Sequence, residues 1–101
     1  MNRAEVFDPQ RIRELVQLLT GDSSDLNAVV ASAADITYVL LGEATHGTHE
    51  FYSTRAEITK RLIREHGFSA VAIEGDFPDA HRVEEYVNGS LQGNASDALG
   101  G

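Results

Sequence analysis

The run Ile36-Thr37-Tyr38-Val39-Leu40-Leu41, followed by Gly42-Glu43-Ala44-Thr45-His46-Gly47-Thr48, decides how the fold is read. Its β-branched and apolar residues do not alternate with polar ones. A run of that kind marks a strand buried on both faces, as in a parallel sheet. Ser69-Ala70-Val71-Ala72-Ile73 is a second such run, ending at Glu74-Gly75-Asp76. Between them the spacing predicts a helix from about His49 to His66, closed by Gly67 at the left-handed cap position with Phe68 just beyond. Strand, helix and strand make a βαβ unit, whose crossover is right-handed in nearly every case.

Outward from this unit, residues 1–7 read as a frayed arm. Asp8-Pro9 starts a helix, because Asp caps and Pro suits the first helical position. Ile12, Leu15, Val16 and Leu19 form one apolar stripe on it, and Gly21 stops it. Ser23 or Ser24 caps a second helix, with Leu26, Val29, Val30 and Ala33 at the same spacing. Beyond the second run, Pro78 opens a helix with Ala80, Val83 and Val87 inward, stopped by Asn88-Gly89. Residues 90–101 are small and polar and read as a loop or tail. The expected fold class is α/β, with an arm over 1–7, two helices over 8–34, a βαβ unit plus a helix over 35–89, and a loop over 90–101. Buried parallel strands need helices on both faces and neighbours at their edges. Two strands alone make a poor sheet. The chain is therefore expected to be the N-terminal part of a larger α/β domain, the alternative being a small domain that pairs its strand edges in an oligomer.

Composition removes whole classes. The chain has 101 residues, no cysteine, and 16 acidic residues against 8 Lys plus Arg, for a net charge of -8. Disulfide scaffolds, Cys-ligated metal centres and a cysteine nucleophile are excluded. Neither half carries the basic stripe that nucleic-acid binding needs, and the Arg55 to Arg64 stretch reads as one helix face. No apolar run approaches the length of a membrane span. The first ten residues lack a signal-peptide apolar core, which makes a cytoplasmic protein the default.

In open α/β sheets ligands bind outside the carboxyl ends of the strands. That rule selects the loop of Glu43, His46 and His49, and the loop of Glu74 and Asp76. Neighbouring strands would bring Glu43 and Glu74 within about 5 Å, or about 10 Å with one strand between. Two carboxylates and an imidazole in one crevice make an acid–base site, since a His held by Glu can take a proton from water at neutral pH. The plainer reading has Glu43 capping the next helix or pairing with an Arg, and His46 as a loop residue. Gly42 and Gly47 bracket the segment and imply a tight backbone. Arg55 falls on the inward stripe of Phe51, Ile58 and Leu62. An inward Arg needs a partner, and Glu43 and Glu74 are the nearest carboxylates; otherwise its head snorkels to the rim.

Other templates fail. Gly67-Phe68-Ser69-Ala70-Val71 lacks the second glycine of a serine elbow. No Gly-x-Gly-x-x-Gly or phosphate loop occurs, and His46-Gly47-Thr48-His49-Glu50 has neither zinc-protease order. A metal site of Glu43, His46 and Glu74 is chemically allowed but has no diagnostic spacing. His66 and His81 read as surface residues. Asn88-Gly89-Ser90 would matter as a sequon only in a secreted eukaryotic protein.

Leu41-Gly42-Glu43-Ala44-Thr45-His46-Gly47-Thr48, then Glu50-Phe51, Arg55 and Glu74-Gly75-Asp76-Phe77-Pro78-Asp79-Ala80, resembles the erythromycin esterase family over about residues 35–90. The resemblance implies hydrolysis of a macrolide lactone or related small-molecule ester by water, without a catalytic serine and without a cofactor. It implies His46 as general base, Glu43 and Glu74 as the carboxylates around it, and Arg55 in the same site. No role passes to His49. The family's domain is several times longer and takes a second essential His from later segments, so the 101-residue chain by itself is expected to be inactive. The contrasting expectation is a metal- or haem-binding protein using the same Glu and His, or an inactive truncated product.

Overall fold

Asp8 caps the first helix, α1 (Pro9–Leu15), by accepting the Gln10 N–H at 2.9 Å, with Pro9 in the opening turn. The structure is a computed structural model and describes residues 8–100, so the arm expected over 1–7 lies outside the described residues. Helix α1 ends at Leu15, well short of Gly21. Leu15 and Leu19 are 83% and 63% exposed, so the expected stripe packs on nothing. A helix this short gains little without a packed face. The chain after it is held instead by Asp25, which accepts the N–H groups of Thr20 and Gly21 at 2.5 and 2.8 Å.

A 3₁₀ turn, Ser23–Leu26, leads into α2 (Asn27–Ala31). Its cap is Asp22, one residue before the serines expected there, accepting from the Ser24 N–H at 2.8 Å. Hydrogen bonds from Ser24 hold the Asp22 carboxyl below its ordinary value. Helix α3 spans His49–His66, as the spacing predicts, and Gly67 closes it at φ 70°. The Gly67 and Phe68 N–H groups both reach the Leu62 carbonyl. Val30 and Ala33 meet Ile58 and Leu62 of α3 in a small core, with Leu26, Val39, Leu41 and Phe68 around it. Burying each large aliphatic there stabilises by about 1.5–3 kcal/mol. Arg61 ties α3 together through Glu65 at 2.7 Å and reaches the Ser23 carbonyl at 3.4 Å.

The α/β expectation is overturned: the described residues are helical and contain no strand and no βαβ unit. Residues 36–41 are irregular. Val39 and Leu41 turn to the helical core, while Tyr38 and Leu40 are 82% and 90% exposed. The run is thus covered on one face, not two. In the second run, Val71 and Ile73 are 57% and 63% exposed. The physical reason is that a strand is a pairing, not a property of one segment. The chain forms two compact units, one up to Phe68 and one from Ser69, and each holds a single apolar run. An apolar run without alternation also does not specify a strand by periodicity.

The second unit contains α4 (Phe77–Val87), preceded by Asp76 with Pro78 in its first turn, and α5 (Ala95–Ala98). Ala80 and Val83 are half-buried, but Val87 is 73% exposed rather than inward. The loop or tail expected over 90–101 includes an ordered turn of helix. Asn94 accepts the Asp97 N–H at 3.0 Å while the Asp97 carboxylate accepts the Asn94 N–H at 3.2 Å. This reciprocal capping box seats Ala98, which is buried against α4. Among the described residues, no helix is long and apolar enough to cross a membrane.

Candidate functional site

The loop between residue 41 and helix α3 carries Glu43 and His46, and α3 carries Tyr52 and Arg55. Thr48 stands at the helix N-terminus, yet its hydroxyl does not cap; it meets the Thr45 hydroxyl at 2.9 Å across the turn. The first turn of α3 is closed by the Phe51 N–H on the Thr48 carbonyl at 3.2 Å. Residues three and four apart share a helix face. Tyr52 and Arg55 therefore rise from one face, back towards the loop that precedes their helix.

Glu43 is the centre of the arrangement. Its Oε1 lies 2.6 Å from His46 Nδ1, and its Oε2 accepts from Arg55 Nη1 at 2.7 Å. The Glu43 side chain is only 17% exposed, whereas His46 is 87% exposed. A carboxylate between an imidazole and a guanidinium accepts on both oxygens. The proton on a neutral His46 then sits on Nδ1, which leaves the Nε2 lone pair for solvent. Arg55 is half-exposed, so its stem is partly covered and its head lies at the rim.

Tyr52 completes the cluster, and the sequence reading missed it. Its hydroxyl donates to the His46 carbonyl at 3.1 Å, and the Arg55 guanidinium lies 5.8 Å from the centre of its ring. Partial desolvation, then the Glu43 carboxylate, push the phenol above its ordinary value, with Arg55 pulling the other way. The available signal was Tyr52's position three before Arg55. The glycines misled in the other direction. Neither Gly42 nor Gly47 has positive φ, and a Cβ on either would meet open space.

The remaining candidates are each described within their own unit. Glu74 belongs to the second unit, where it is exposed in the bend before α4. Asp76 precedes α4 without a side-chain capping bond. His49 opens α3 and is exposed. Among the described residues, no three His, Cys, Asp or Glu side chains gather closely enough to hold a metal ion. His81 stacks on Phe77 at 5.6 Å and faces Glu84 at 3.4 Å on its own helix.

An imidazole held by a carboxylate and open to solvent is an arrangement able to accept a proton from water. Residues 63–99 match the family model described as erythromycin esterase, which is consistent with the resemblance and takes in its Glu74-to-Ala80 motif but not residues 41–55. The matched span holds Glu74 and α4, and the similarity points to a hydrolase of the esterase kind. No solved structure matches the chain.

Proposed function

We propose that this chain contributes to a hydrolase that cleaves a macrolide lactone or related ester with activated water. The observation that supports it is the bridging of His46 Nδ1 and Arg55 by a single, mostly buried carboxylate, Glu43. In this reading His46 Nε2 takes a proton from water. The resulting hydroxide adds to the ester carbonyl carbon. The acyl–oxygen bond then breaks, and the proton passes from His46 to the departing alkoxide, giving an acid and an alcohol. Glu43 holds the imidazole in the tautomer that step needs and balances the imidazolium that forms. Arg55 fixes the second oxygen of Glu43, and its remaining N–H groups can meet negative charge developing on the substrate. Glu74 is the second carboxylate by resemblance.

General-base assistance is typically worth about 10²–10⁴ in rate. His46→Ala in the full product of the reading frame is expected to lose at least about 10²-fold in erythromycin or simple-ester hydrolysis. Wild-type turnover in that variant would reject the assignment.

A further inference from the structure

We propose that Tyr52 is a positioning residue for His46: its hydroxyl pins the backbone that carries the imidazole, and its ring seats the guanidinium that holds Glu43. The catalytic consequence rests on the hydrolase reading above; the positioning itself does not. Three contacts carry it. The Tyr52 hydroxyl donates to the His46 carbonyl at 3.1 Å. The Arg55 guanidinium lies over the Tyr52 ring at 5.8 Å. Arg55 in turn grips the same carboxylate that holds His46.

The need for such a residue follows from exposure. His46 is 87% exposed, so packing does not fix its rotamer. One hydrogen bond, donated by His46 Nδ1 to Glu43, sets the ring, and the ring can keep that bond only while its backbone stays put. The Thr48 hydroxyl is committed to Thr45 and does not lock the start of the helix. Tyr52 adds a second tie, from the body of the helix to the His46 carbonyl itself. The Tyr52 phenol is held above its ordinary value by desolvation first and by Glu43 next. An ordinary phenol is already protonated at neutral pH, so the hydroxyl is a donor there.

The test compares Tyr52→Phe and Tyr52→Leu with wild type in the full product of the reading frame. Two readouts are needed: hydrolysis of erythromycin and of 4-nitrophenyl acetate, and the NMR positions of the histidine Cε1–Hε1 signals. Tyr52→Phe keeps the ring and loses the hydroxyl. It should shift the His46 signal while the other histidines stay in place, and lower kcat about tenfold with KM within about twofold. Tyr52→Leu should lower kcat further, because the seat of Arg55 goes as well. Far-ultraviolet circular dichroism should be unchanged in both. An unaltered His46 signal in Tyr52→Phe would overturn the proposal whatever the activity. If wild type hydrolyses neither ester, the hydrolase reading falls and the His46 signal still decides the role of Tyr52.

Discussion

Glu43 and Glu74 each follow an apolar run and each precede a helix, yet the structure treats them differently. Glu43 is clamped on both oxygens and mostly buried. Glu74 is exposed and, among the described residues, has no ion pair. The difference lies in the helix that comes next. Helix α3 sends Tyr52 and Arg55 back onto its own leading loop. The polar groups of α4 are spent within the helix, Arg82 on Asp79 and His81 on Glu84. A loop carboxylate becomes an organised group when the following helix returns a cation to it. Loop sequence alone does not do this.

The sharpest way to break that comparison is to neutralise each glutamate in turn. Glu43→Gln should reduce ester hydrolysis about 10²-fold or more and move the His46 NMR signal. Glu74→Gln, which removes a carboxylate with no such clamp, should reduce activity less. The opposite order would mean that the clamp is incidental. Next in size is a packing test. Leu62→Ala, in the small core of the first unit, should cost about 2–5 kcal/mol by urea unfolding. Val83→Ala, half-buried in the second unit, should cost about 1 kcal/mol. Equal losses would erase the distinction between a unit with a core and one stapled by helix caps.

The smallest expected effect concerns Asp22. Its folded carboxyl lies below its ordinary value because of Ser24. A depressed carboxyl contributes stability above the unfolded value and loses it as pH falls through the folded one. Asp22→Ala should therefore melt slightly lower than wild type near neutral pH. The gap should close in strong acid. A gap that widens on acidification would contradict the capping role.

Short-range signals carried most of what was legible. Asp8-Pro9, the span His49–His66 and the left-handed Gly67 followed from spacing and cap chemistry alone. The same kind of signal was present at Asn94 and Asp97 but was hidden by the small polar residues around it. Strands could not be read in this way. Whether Ile36 to Leu41 pairs depends on a partner, and hydrophobicity measures only the wish for cover. The site divides similarly. Glu43, His46 and Arg55 were named from the sequence and lie together in the structure. Tyr52 was missed because a tyrosine on an amphipathic helix looks like a packing residue until its hydroxyl finds an acceptor.

The bridge from Glu43 to Arg55 spans only 12 residues, and the links from Glu43 to His46 and from His46 to Tyr52 are shorter. The consequence is kinetic. Closing so short a loop takes on the order of 10–100 ns, and α3 needs about a microsecond or less to wind. The cluster can therefore assemble before any distant part of a chain has found its place. Its geometry is inherited from one turn and one helix, so the slow steps of folding act on what surrounds it and not on the cluster itself.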